Sequence, residues 1–142
     1  MPIFLEGNAC LMGALLLLTL PFPWLMAAIA AAVFHEMCHI GALYLMKTPP
    51  VAIRIGFRGA VIQTAPLDPK ESLLCAAAGP IGSLLLFFLI HVFPRLALCA
   101  AVQGLFNLLP VYPLDGGRIL RACMELRKPR KRPCKESKLA VQ

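Results

Sequence analysis

Charge is scarce in this chain of 142 residues: 15% of it is Asp, Glu, Lys or Arg, against 59% hydrophobic residues and a mean hydropathy of +0.76. Soluble domains carry about a quarter charged residues, so this composition excludes an ordinary soluble globule and points to a chain solvated largely by lipid. Acids are the scarcer sign, seven against fourteen Lys and Arg. A net charge of +7 would suit nucleic acid, but nine of the fourteen basic residues fall between Arg118 and Lys138, where no aromatic residue interleaves them. Single-strand binding surfaces need such stacking platforms, so nucleic acid is not expected as a partner and anionic lipid headgroups are. Cys-x-x-Cys pairs are missing too. The six cysteines (10, 38, 75, 99, 123 and 134) mostly lie in apolar segments, which excludes a disulfide framework. No Lys or Arg stands in the opening MPIFLEGNAC, so the positive start of a secretory signal is lacking and the first apolar segment is expected to be retained. No internal repeat is visible, and the basic tail is the only biased stretch. The expectation is therefore one membrane core over residues 1–120 and a flexible, basic, cytoplasmic tail over 121–142.

What is present is apolar sequence in four blocks, about 8–20, 22–46, 72–93 and 96–113. The second and third are long enough to cross a hydrocarbon core of about 30 Å at about 1.5 Å per residue. The first is set off from the second by Pro21-Phe22-Pro23, which no helix continues through smoothly, so it either spans or inserts only in part. Between the second and third blocks, Val51, Ile53, Ile55 and Phe57 alternate with other residues before Gly59, a period of two that predicts a β-hairpin. Its edges cannot face lipid unpaired, so it must lie at the interface, pack on helices or pair with a further strand. The predicted fold is an all-α polytopic membrane protein of about four transmembrane helices with a small hairpin between the second and third. With four spans, Lys47, Arg54, Arg58, Lys70 and the nine tail basics share one side and Arg95 lies opposite, which places both termini in the cytoplasm.

Late in the second block stands His35-Glu36-Met37-Cys38-His39. Residues four apart share a helix face, so both imidazoles reach one ion while Glu36 stands beside them, able to take a proton from water. A buried polar network tying helices together would use similar residues. Yet an ionisable Glu between two histidines inside an apolar span costs several kcal/mol unless it is paired or functional.

A catalytic zinc takes three protein ligands and leaves one position open, so a third donor must come from elsewhere. His91 lies toward the far end of the third block, and Cys38 reads more readily as a packing thiol. Asp115 stands on the same side as the histidines, in Asn107-Leu-Leu-Pro110-Val-Tyr-Pro113-Leu-Asp115-Gly-Gly117, where an Asp-Gly-Gly turn closing a helix would explain it equally well.

HEMCH in one span with NLLPVYPLDGG at the end of a later one resembles the site-2 protease family of intramembrane metalloproteases, whose patterns are HExxH and NxxPxxxLDG. The resemblance covers about residues 8–120 and comes nearest to the stage IV sporulation protein FB branch. It implies one zinc ion held by His35, His39 and Asp115, Glu36 as general base, and Asn107 engaging the substrate. It further implies a multi-pass protein of the bacterial cell membrane whose substrate is a membrane-associated protein, in this branch a sporulation sigma-factor precursor. Ala78-Gly79-Pro80 resembles the family's GPxxN patch, but Ser83 stands where the Asn would be. Only the basic tail follows the core, where members of the branch often carry a nucleotide-binding CBS domain. ATP-linked regulation is therefore not expected.

The implied chemistry is hydrolysis by zinc-activated water, with Glu36 moving the proton. A helical peptide bond is shielded by its own hydrogen bonds, so the substrate must be extended, and the edge of the 51–64 hairpin could hold it as an added strand. Two rival readings use the same residues. One is a membrane metal-transfer site with Cys38 and Met37 as soft auxiliary donors; it lacks a charged path to the outer face. The other is an inactive protease-like binding protein, which has no use for Glu36.

Overall fold

The computed structural model describes residues 3–5, 19–56 and 59–127. In chain order these form strand β1 (Ile3–Leu5), helix α1 (Phe22–Leu45), strands β2 (Ala52–Gly56) and β3 (Gly59–Gln63), helix α2 (Pro69–Leu85) with a 3-10 extension over Leu86–Leu89, helix α3 (Pro94–Asn107) and helix α4 (Asp115–Arg127). The first apolar block lies, but for its last two residues, outside the described residues.

Proline opens α1, α2 and α3, where its missing N–H is no loss and its fixed φ already suits the helix. In α2, Asp68 and Glu71 add a reciprocal capping box. The 24 residues of α1 span about 36 Å, and large apolar side chains such as Ile29, Val33, Phe34 and Met37 stay exposed around most of it. Water would penalise that surface; lipid does not. Its buried stripe is Leu25, Ala31, His35, His39 and Leu43, so the two histidines lie on the face turned toward the other helices. By length and composition, α1 and α2 with its extension can each cross a membrane.

Helix α2 is the hub: it packs on α1, α3 and α4, and α1 also packs on α3. Small buried residues make the contacts close, among them Ala76, Gly79 and Ser83 on α2 and Ala97, Ala100 and Gly104 on α3. The 14 residues of α3 span only about 21 Å, less than a hydrocarbon core. Its fourth-block sequence runs to residue 113, but Pro110 and Pro113 cannot continue a helix, and the chain leaves it after Asn107 in an irregular loop.

Strands β2 and β3 pair antiparallel with Ile53 opposite Ile62, over the segment whose alternation predicted a hairpin. β1 adds in parallel to the other side of β2, Ile3 opposite Ile53, giving the sheet order β1-β2-β3. Three residues are too few for periodicity to reveal, and β1 was not expected. Among the described strands β3 keeps an unpaired outer edge.

Asp115-Gly116-Gly117 opens α4, so the turn closing the preceding helix, the alternative explanation of these residues, does not form. One expectation at the C-terminal end needs correction. The boundary at residue 120 falls inside α4, so residues 121–127 are helix and not flexible tail; Ala122 is buried, and Arg121 Nε donates to Glu125 Oε1 at 3.1 Å one turn on.

Candidate metal centre

One helix face brings His35 and His39 together. They are 2% and 4% exposed, and their rings meet edge to face at 4.8 Å between centroids. The third group comes from a different part of the chain. Asp115 is the first residue of α4, 7% exposed, and is placed by the loop that ends α3. A Cβ at Gly116 would overlap the carbonyl of Leu108, and one at Gly117 would lie 2.7 Å from the amide nitrogen of Tyr112. The two glycines thus let α4 start hard against the loop's backbone, which turns the Asp115 carboxylate onto α1.

The result is a triangle. His35 Nε2 and His39 Nε2 each lie 3.1 Å from Asp115 Oδ2 and 3.2 Å from one another. Zinc–ligand lengths of about 2.0–2.1 Å in a tetrahedron separate neighbouring ligands by about 3.3 Å, so these three atoms have the spacing of one tetrahedral face. Ring protonation agrees. His39 Nδ1 lies 2.7 Å from the carbonyl of Cys75, an obligate acceptor, so this nitrogen carries the hydrogen and a neutral ring presents a bare lone pair at Nε2. With the His35 hydrogen likewise on Nδ1, two bare nitrogens and a carboxylate would face one another, a donor set suited to a cation. Space is kept for it: a Cβ at residue 79 would overlap His39 Nε2 and lie 2.8 Å from His35 Nε2, and Gly79 has none. These residues fit a zinc ion, with His35, His39 and Asp115 as the groups that would hold it.

The other expected residues are distributed unevenly. Glu36 is half-buried on α1, within electrostatic reach of both histidines, Asp115 and Arg118. Asn107, the last residue of α3, brings its Nδ2 to 3.4 Å from His35 Nε2, so it joins the rim of the site. His91 is exposed, and Met37 is 56% exposed on the outer side of α1. Cys38 packs toward Gly82, where a Cβ would overlap its sulfur. The soft auxiliary donors of the metal-transfer reading do not join the three-residue cluster.

Four contributors escaped the sequence reading. Ser83, noted there only as a departure from GPxxN, places its Oγ 2.9 Å from His35 Nδ1. The Cys75 carbonyl is a backbone group that no motif reports. Gly79 was noted only as part of the resemblance to GPxxN. Arg118, counted with the tail, lies with Nη1 3.5 Å from Asp115 Oδ1 and offsets part of the charge at the carboxylate's second oxygen. Among the described residues, no buried side-chain nitrogen or oxygen lacks a partner.

Comparison with known proteins converges on one group. The profile of peptidase family M50 matches residues 86–142. Rip3 of Mycobacterium tuberculosis, a candidate zinc metalloprotease found in two strains, is 41% identical over 76 residues, which is 54% of this chain and 19% of Rip3. The chain thus spans about a fifth of the length of these curated relatives. The site-2 protease from Methanocaldococcus jannaschii shares the fold, with a TM-score of 0.70 and 23% identity over 90% of this chain and 69% of that one. Together these likenesses support the M50 peptidase family and a membrane setting.

Proposed function

We propose that this chain is an intramembrane zinc endopeptidase of the site-2 protease type, cleaving membrane-associated protein substrates near the cytoplasmic face. The observation that carries the reading is the convergence of His35 Nε2, His39 Nε2 and Asp115 Oδ2 within 3.2 Å beside Glu36, with both histidines on a helix long and apolar enough to cross a membrane. A zinc ion supplies Lewis acidity and water activation near neutral pH.

The chain's own residues do the rest. Glu36 takes a proton from the attacking water through its carboxylate and returns it to the leaving amine. His35, His39 and Asp115 hold the metal; Gly79 and the small residues around it keep the space before them open. The Asn107 amide, beside His35, binds the substrate backbone at the reacting bond. The unpaired edge of β3 accepts the substrate as an extended strand, since β1 occupies the far side of β2. A cleft lined by Thr64, Pro66, Ser72, Tyr112 and Arg118 lies beside α4 and offers water a way toward Asp115.

In the same reading the protein is a multi-pass bacterial membrane protein with both termini cytoplasmic, and its basic C-terminal segment rests on anionic headgroups. The sequence likeness to the sporulation branch names a sigma-factor precursor as the first substrate to try. The test is cleavage of a panel of membrane-tethered substrates by the purified protein before and after zinc is stripped by a chelator. Cleavage that vanishes on stripping and returns with zinc supports the reading; cleavage indifferent to the metal overturns it.

A further inference from the structure

A ring nitrogen that faces a metal ion must be free of hydrogen, so the other ring nitrogen must carry one, and in a dry site that N–H needs an acceptor. The two histidines meet this need differently. His39 uses the Cys75 carbonyl, a backbone group that accepts and never donates. His35 depends on a side chain, the hydroxyl of Ser83, 2.9 Å from its Nδ1.

Ser83 is wholly buried at 0% exposure, as neither a solvating hydroxyl on a lipid-facing helix nor an idle packing residue would require. Its surroundings are sealed by α3. A Cβ at Gly104 would lie 3.1 Å from Ser83 Cβ and 3.2 Å from the Pro80 carbonyl oxygen, so the backbone of α3 rests directly on this turn of α2.

We propose that Ser83 is a positioning residue for His35: it accepts the Nδ1 hydrogen and thereby holds the Nε2 lone pair toward the metal. The inference rests on the metal reading above. Without the hydroxyl, the ring has an easy escape. Its hydrogen moves to Nε2, where Asp115 Oδ2 stands 3.1 Å away to accept it. That arrangement satisfies the metal-free protein and must be undone each time an ion binds, so the loss appears in metal affinity and not in the fold.

The experiment compares the full-length wild type with Ser83→Ala in detergent, using zinc itself as the probe. Zinc affinity is measured by competition with a chelator, and histidine proton positions by NMR on protein labelled with nitrogen-15 histidine, which has only three such residues to assign. Ser83→Ala is expected to bind zinc about tenfold or more weakly, the range seen when an outer partner of a metal-bound histidine is lost. Its metal-free form is expected to unfold near the wild-type temperature with the His35 proton on Nε2. Equal zinc affinity, or a His35 proton still on Nδ1 in the metal-free variant, overturns the inference while leaving the metal reading standing. A wild type that binds no zinc overturns both. The zinc-loaded wild type gives a readout that needs no variant: a His35 Nδ1–H protected from exchange supports the role of Ser83, and a rapidly exchanging one contradicts it.

Discussion

His39 donates its Nδ1–H to the carbonyl of Cys75 at 2.7 Å, and this one bond decides what the rest of the ring can do. A carbonyl only accepts, so the opposite nitrogen of the neutral ring is left as a lone pair facing Asp115 Oδ2 and His35 Nε2. Helix α2 therefore orients, through a backbone carbonyl, one of the three groups of α1 and α4 that would hold an ion.

Removing a member of the triangle should abolish tight zinc binding. Asp115→Asn replaces a charged oxygen with a neutral amide, and His35→Ala removes a donor. Each is expected to weaken zinc affinity by more than the roughly tenfold to hundredfold that loss of an outer partner produces. Metal content after dialysis against a weak chelator checks this.

Gly79→Ala should act as strongly without touching a ligand. The added methyl would occupy the space before both Nε2 atoms, 2.8 Å from that of His35. Zinc binding and cleavage are expected to fall together, while the helical circular dichroism stays near that of wild type. Normal zinc content in this variant would contradict the geometry of the site.

Gly116→Ala tests the loop. Its Cβ would overlap the Leu108 carbonyl, a backbone atom that cannot move aside cheaply. A loss of about 1–3 kcal/mol in stability is expected, the range for overpacking. Since α4 would be pushed off the loop that sets Asp115, zinc affinity should drop as well. Thermal unfolding in detergent, with and without zinc, separates the two effects.

The basic segment gives a prediction independent of the metal. A peptide of residues 121–142 should bind vesicles containing phosphatidylserine, with about 1 kcal/mol contributed per basic residue near the surface, and should release as salt is raised. Binding to neutral vesicles with equal strength would remove the electrostatic account.

Much of this site was legible because its chemistry is carried by residue types that apolar helices rarely contain. HEMCH sets two imidazoles and a carboxylate near one another by helical geometry, whereas Asp115 is singled out by the resemblance of NLLPVYPLDGG to the family pattern, since its place alone fits a turn equally well. What resisted reading was backbone and space. The Cys75 carbonyl has no side-chain signature, and the role of Gly79 depends on how closely two helices approach. Ser83 differs from the family pattern by a smaller polar residue, a substitution whose meaning appears only when His35 is seen beside it. In the fold, the alternation from Val51 marks strands, whereas β1 is too short to show a period and α4 was hidden in a run of charges that looked solvated. The early end of α3 was written in Pro110 and Pro113, but apolar composition concealed it.

The most direct test of the central claim is Glu36→Gln, which keeps the size and hydrogen-bonding reach of the side chain and removes its ability to take a proton. Zinc content and cleavage of a membrane-tethered substrate are measured on the same preparation. Full zinc occupancy with cleavage reduced by about 10²–10⁴-fold, the range for loss of a general base, is the expected result. Cleavage at the wild-type rate with zinc bound would contradict the account.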